Sequence, residues 1–349
     1  MNNEEVLKAF RLYINKLCGL NPHNERFPGT LPVSLARADV PALYGMTQTH
    51  FTEYILSYKA DGFDGGRYFL VFLTVHGEHY AVLLDRQFFP VYLSLQVYTS
   101  ALLGTVFDVE LLRLPDQTYL ILIFDTLAIN GNNVTSSHYL TRLELARRFL
   151  DHTVNINQNI SYTTHQTDPK AYPSRFPDIQ ICNGTYNKAA LKIQVKQVYY
   201  AQALQRLNVN THYPTDGFIW TLGTAAYSPF RTNMECVFKW KPLEWVTVDF
   251  FVKLDPTEGP NPRDDIPDKY RVTMGQYGLF ADSGGGLISI SKFESSQTLY
   301  GVYEFQWSGT RWSLKQSRPD KTKPNQLQTV IRTINNLTEN ILLSEIQPK

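Results

Sequence analysis

The chain opens on a helical rhythm: Leu7, Phe10, Ile14 and Leu17 fall at three- and four-residue intervals and predict a short helix over residues 4–17 with one apolar face. Pro22, Pro28, Gly29 and Pro32 interrupt it, so residues 21–32 read as extended or loop-like. Over residues 54–124 the pattern shortens to runs rich in Tyr, Phe, Val, Ile and Leu: YILSYK, RYFLVFLTV, HYAVLLD, TVFDVELL and YLILIFD. These predict strands of an antiparallel-leaning sheet. Helices are predicted around residues 140–150 and, longer, over 188–207, a mixture without the βαβ alternation of a doubly wound fold. Strand patterns return at GFIWTL, ECVFKW and VTVDFFV, before a Pro-, Asp- and Gly-rich loop at 255–268. Five further runs follow, YRVTM, YGLFA, GLISIS, LYGVYEFQW and RWSLKQ, with Gly284 to Gly286 as a turn between them. Leu327, Val330, Ile331, Ile334, Leu337, Ile341 and Leu342 then share one face of a closing helix, with its start at Pro324 and Asn325 and Gln328 as the capping partner.

Length and composition turn these elements into domains. At 349 residues and 43% hydrophobic the chain is long enough for two domains, each burying its own core. The five short strands over roughly 80 residues suit a small β-barrel of the OB-fold kind. The expected fold is therefore α+β, with residues 1–242 as a mixed domain of antiparallel sheets and helices and 243–349 as the barrel with its helix. Thirty-three Lys and Arg against 32 Asp and Glu exclude a uniformly basic nucleic-acid coat but leave room for a local basic cleft. No run has the roughly 18–20 apolar residues of a membrane span, and the start, MNNEEVLKAF, is acidic, so an intracellular protein is expected. Cys18, Cys182 and Cys236 are too scattered for a disulfide framework or a zinc site.

The chemistry is in six strings that follow one another in order. Lys59-Ala60-Asp61-Gly62 ends a predicted strand; alone, it is a surface turn with a solvated lysine. Thr105 to Leu111 (TVFDVEL) puts Asp108 and Glu110 on one strand face. Leu122-Ile123-Phe124-Asp125 sets an aromatic beside a carboxylate, and Thr215-Asp216-Gly217-Phe218-Ile219 repeats an Asp-Gly before a strand. Val237-Phe238-Lys239-Trp240-Lys241 places two lysines on one strand face, and Arg318-Pro319-Asp320-Lys321 precedes the last helix.

This ordered set resembles the covalent nucleotidyltransferase superfamily. Within it the R-x-D-K-x-x-x-N string with its trailing helix is similar to that of the mRNA capping enzymes, the GTP:RNA guanylyltransferases, most of all the compact ones of large DNA viruses and fungi. The resemblance runs from Pro32 to Ile346. It implies a nucleotidyltransferase domain of the ligase and capping-enzyme (ATP-grasp-like) type followed by an OB-fold, and a lysyl–GMP phosphoramidate formed on Lys59. A lysine amine, pKa ~10.4, attacks phosphorus only once deprotonated. Lys239, Lys241 and a divalent Mg²⁺ or Mn²⁺ are the cations that favour this and neutralise the α-phosphate. By the same resemblance Asp61, Gly62, Arg67, Arg86 and Glu110 lie at the nucleotide, Phe124 stacks on guanine, and Asp108, Glu110 and Asp216 are the metal carboxylates. Arg318, Asp320 and Lys321 are implied to meet the triphosphate when the barrel domain closes.

Two departures stand out. Phe63-Asp64-Gly65-Gly66 separates the Lys-x-Asp-Gly string from Arg67, so Arg67 reaches the ribose through a small loop insertion or the contact is lost. Val109 also replaces the family's glycine. The resemblance implies transfer of GMP from GTP to a 5′-diphosphate RNA end. An ATP-dependent polynucleotide ligase, using the same lysine, and an inactive RNA- or partner-binding module are the rivals. RNA triphosphatase and cap methyltransferase are expected on partners or in other parts of a longer protein, at work in a nucleus or a cytoplasmic viral factory.

Overall fold

The computed structural model describes residues 3–44, 46–47, 50–51, 54–60, 66–75, 77–93, 97–156, 184–186, 189–207, 211–229, 236–254, 275–319 and 321–347. The chain divides into two compact units, Met1–Trp240 (with Gln347–Lys349) and Lys241–Ile346.

The first unit begins with the expected helix, α1 (Asn3–Leu17). Three short strands, β1 (Val33–Ser34), β2 (Met46–Thr47) and β3 (His50–Phe51), lead into the long ones: β4 (Tyr54–Ala60), β5 (Arg67–Val75), β6 (Glu78–Leu84), β7 (Pro90–Tyr92), β8 (Thr105–Arg113), β9 (Tyr119–Ile129) and β10 (Asn132–Asn133). Helix α2 (Tyr139–Ile156) follows, then β11 (Gly184–Tyr186), β12 (Ala189–Val195), β13 (Tyr199–Tyr200), β14 (Thr215–Leu222) and β15 (Val237–Trp240). One sheet has five strands in the order β1-β15-β14-β4-β13, and a second has eight, β11-β12-β9-β8-β5-β6-β7 with β10 beside β9.

The eight-stranded sheet is covered on both faces because its central strands are apolar at both parities. Leu70 and Phe72 of β5 and Phe107, Val109 and Leu111 of β8 pack with Leu143, Ala146, Phe149 and Leu150 of α2. Phe69, Val71, Leu73 and Val106 pack on the other side, where Phe10 and Ile14 of α1 lie.

The helix expected over 188–207 is not formed. Residues 189–195 are β12, which runs parallel to β9, and only Ala201–Arg206 winds into a short 3₁₀ turn. Leu191, Ile193 and Val195 alternate with Lys192, Gln194 and Lys196, a two-residue period, and pairing with β9 sends the apolar set into the α2 core.

The second unit is a Greek key: β16 (Thr247–Leu254), β17 (Gly275–Asp282), β18 (Leu287–Ser295), β19 (Gly301–Trp307) and β20 (Trp312–Ser317) pair antiparallel in the order β18-β17-β16-β19-β20. The VTVDFFV run thus supplies the central strand, whereas YRVTM at 270–274 and the 255–268 loop lie outside the described residues. Gly284 to Gly286 turn from β17 to β18 as expected. Helix α3 (Leu327–Glu339) starts at Gln326, not Asn325, and with no side-chain cap. Asn325 is engaged elsewhere: its side chain accepts from Asp249 N at 2.9 Å and its N–H donates to Asp249 O at 2.8 Å. Val330 is buried in the core of the second unit, while Ile331 and Ile334 of the expected apolar face are exposed.

Candidate active site

Lys59 is the penultimate residue of β4, and β14 runs antiparallel beside it. The register pairs Thr215 with Ala60 and Gly217 with Lys59, so Asp216 is the extra residue of a β-bulge. Gly217, at φ 145°, supplies the backbone freedom the bulge needs. The bulge turns Asp216 onto its neighbour: Lys59 Nζ donates to Asp216 Oδ1 at 2.7 Å, with side chains 20% and 6% exposed. Lys239 lies on the same sheet face, since it pairs with Ile219, Ile219 pairs with Ser57, and Ser57 is two residues from Lys59. Lys241 is the first residue of the second unit, and Asp61 and Gly62 lie outside the described residues.

Ala60 packs with Leu112, Leu114, Leu120 and Leu122, which lays the end of β4 over one face of the eight-stranded sheet. Glu110 is on that face, two residues before Leu112. Its Oε2 is buried with no hydrogen-bond partner among the described residues, and Lys196 Nζ stands 3.7 Å away. Phe124 is also at a bulge: Val109 pairs with Ile123 and Asp108 with Asp125, which leaves Phe124 between them without a partner in the register. Its ring is half-buried, and the Arg67 guanidinium and the Lys196 ammonium lie 5.3 and 5.7 Å from its centroid. Phe124 is thus not a plain core residue, although its flanks are.

Arg67 begins β5 directly opposite Glu110. Its Nε and Nη2 donate to the two oxygens of Asp108 at 2.8 and 2.5 Å, and Nη1 donates to the Thr30 carbonyl at 2.6 Å. Tyr227 donates its hydroxyl to Asp108 Oδ2 at 2.6 Å. Burial alone lowers the Arg67 guanidinium, but the Asp108 carboxylate more than reverses this and holds it above its ordinary value. Burial, and then the Asp108 charge, push the Tyr227 phenol well above its usual range.

Of the three carboxylates expected at a metal, Asp108 is fully buried with both oxygens taken by Arg67 and Tyr227. The orphaned Glu110 oxygen and the Asp216 carboxylate do fit a hard divalent cation. Among the described residues there is no cluster of three or more His, Cys, Asp or Glu that could hold a metal ion. Arg86 is exposed on the turn between β6 and β7, where Asp85 Oδ1 caps the N–H groups of Gln87 and Phe89.

In the second unit Arg318 and Lys321 converge on Asp249, a buried carboxylate of β16. Arg318 Nη1 is 3.1 and 3.4 Å from its oxygens, and Lys321 Nζ bonds Oδ2. Asp320 lies outside the described residues. Sequence reasoning missed Asp249, Tyr227, Thr30 and Lys196. A lone Asp in the apolar run VTVDFFV was a usable signal for the first, but Tyr227 and Thr30 carry none.

The model of the mRNA capping enzyme catalytic domain matches residues 1–243. The chain belongs to this family. The mRNA-capping enzyme subunit alpha of Saccharomyces cerevisiae is 27% identical over 286 residues, 74% of this chain and 56% of that protein. The mRNA-capping enzyme of Caenorhabditis elegans is 24% identical over 361 residues, 95% of this chain and 50% of that protein. The chain therefore spans about half the length of these relatives, one fungal and one nematode. Among solved structures, a mycobacterial DNA ligase D complexed with ATP and MES aligns at TM-score 0.40 and 13% identity, over 84% of this chain and 96% of that one.

Proposed function

We propose that this member of the capping-enzyme family is an mRNA guanylyltransferase that works through a lysyl–GMP intermediate on Lys59. The observation that carries the reading is the bulge-held pair of Lys59 and Asp216 at the end of β4, laid over a sheet face bearing Glu110 and Phe124. As an ammonium ion Lys59 has no lone pair, so its proton must leave first; Asp216 Oδ1, 2.7 Å away, is an ionisable acceptor within reach. Nζ then forms a P–N bond to the α-phosphorus of GTP while the bond to the β-phosphate oxygen breaks and pyrophosphate leaves with the electron pair. A terminal oxygen of a 5′-diphosphate RNA next displaces the lysine, whose Nζ recovers its proton from Asp216. Phe124 offers its ring to guanine. A divalent cation held by Glu110 and Asp216 would supply charge neutralisation at the α-phosphate.

The Greek-key order of the second unit supports the OB-fold reading of the barrel. RNA triphosphatase and cap methyltransferase are the activities the chemistry requires before and after this one, on partner chains or elsewhere in a longer protein. Incubation with Mg²⁺ or Mn²⁺ and α-labelled GTP is expected to leave label on the denatured chain, released by pyrophosphate or diphosphate-ended RNA and lost in Lys59→Ala. Label retained in Lys59→Ala, or taken from ATP in preference to GTP, overturns the assignment.

A further inference from the structure

We infer that Gly29, Thr30 and Tyr227 are positioning residues for the nucleoside half of this site: they seat the Arg67 guanidinium, which in turn holds Phe124 and Glu110. The inference rests on the guanylyltransferase reading above, and deepens it by assigning a role to two segments remote from the reacting lysine. Arg67 borders both nucleoside residues, opposite Glu110 in the β5–β8 register and 5.3 Å from the Phe124 centroid. What fixes it there comes from elsewhere in the chain. The Thr30 carbonyl takes Nη1, and Tyr227 shares with Nη2 the oxygen Oδ2 of Asp108. The two segments are also tied to each other: Thr30 N–H donates to the Tyr227 hydroxyl oxygen at 3.4 Å and Thr30 Oγ1 to Ser228 O at 2.9 Å. Phe27 closes the seat, with its ring 5.7 Å from the guanidinium and stacked on Phe69 at 4.1 Å.

Gly29 is what lets the backbone come this close. A Cβ there would lie 2.7 Å from both Cζ and Nη2 of Arg67 and 2.8 Å from Phe27 Cε1. The guanidinium is the far end of a flexible side chain, yet it has no cheap way to yield, because moving it breaks the paired bonds to Asp108. A methyl group at position 29 therefore acts on the nucleoside pocket through Arg67.

The test is single-turnover lysyl–GMP formation against GTP concentration for wild type, Gly29→Ala, Tyr227→Phe, Arg67→Lys and the Gly29→Ala/Arg67→Lys pair, with thermal melts of each. The half-saturating GTP concentration should rise about tenfold in Gly29→Ala and Tyr227→Phe, the worth of one charge-assisted hydrogen bond, with the plateau rate changed less than about threefold. The preference for GTP over ATP should not move, since a stacked ring reads the face of a base and not its edge. In the Arg67→Lys background, where the contact with the guanidinium is gone and only that with the Phe27 ring remains, Gly29→Ala should add less than about twofold to the half-saturating GTP concentration. Unchanged half-saturation in both folded single variants, or fully additive losses in the pair, overturns the inference. Should Gly29→Ala fail to fold, Tyr227→Phe, which removes one hydroxyl and no packing, decides. A wild-type chain that takes no label from GTP defeats the guanylyltransferase reading alone, and the melting cycle of the same variants then decides the seat.

Discussion

Arg142→Met is the substitution expected to damage the first unit most per atom removed. Arg142 is 2% exposed and donates four hydrogen bonds: Nε and Nη2 to Asp125 at 2.7 and 2.9 Å, and Nη1 to the carbonyls of Ser137 and Ala225 at 2.5 and 2.7 Å. It thereby ties α2 to β9 and to the segment that carries Tyr227. Methionine fills the stem but leaves a buried Asp125 carboxylate with the Thr126 N–H at 2.7 Å. Breaking a buried pair from one side costs about 3–5 kcal/mol, because the other charge stays behind uncompensated. At about 2–4 °C per kcal/mol for a unit of this size, the melting temperature should fall by about 6–20 °C.

The loss should carry a pH signature. Burial pushes the Asp125 carboxyl above its usual range even with Arg142 opposing it. A group whose folded pKa is raised favours folding below its unfolded pKa and loses that contribution as pH rises through the folded value. Removing Arg142 raises the folded value further, so the deficit should be largest near pH 7.5 and shrink toward pH 5. Thermal melts of both proteins at the two pH values check this, and Asp125→Asn added to Arg142→Met should recover part of the loss. A deficit below about 1 kcal/mol, or one constant across that range, would refute the reasoning.

Asp249→Asn is expected to slow lysyl–GMP formation about tenfold or more, because it removes a carboxylate that holds both Arg318 and Lys321; half-reaction kinetics measure it, and an unchanged rate contradicts the role implied for those cations. Cys18 should resist iodoacetamide at pH 8 while the half-exposed Cys236 reacts, because burial, and then the Asp108 charge, push the Cys18 thiol up to about 12. Peptide mapping after timed alkylation reads this directly, and early modification of Cys18 would mean that α1 opens readily.

Patterns confined to a few neighbouring residues were legible in the chain as written. The spacing of Leu7 to Leu17 encodes the helical period, and the short aromatic and β-branched runs of β4, β5, β8 and β9 encode strands by composition and length. The ordered motif strings likewise contain Lys59, Glu110, Phe124 and Asp216, because a residue type and its place along a strand are local information. Residues 188–207 show where local information stops. Their short apolar runs suit either period, and what settles them is a partner strand about 70 residues away, with which β12 pairs.

The same holds inside the site. Nothing near Thr30 or Tyr227 marks them, since each matters only through an arginine from another strand; the Thr30 amide and the Tyr227 hydroxyl it meets are 197 positions apart. The bulges that place Asp216 and Phe124 are likewise mismatches between two strands, so neither strand contains them alone. Asp108 is the clearest case. Its residue type and its place beside Glu110 point to a metal, and its burial against Arg67 and Tyr227 commits both oxygens to protein contacts. Type and spacing are written in the chain, but which group satisfies a buried charge is set when distant segments meet and water is excluded.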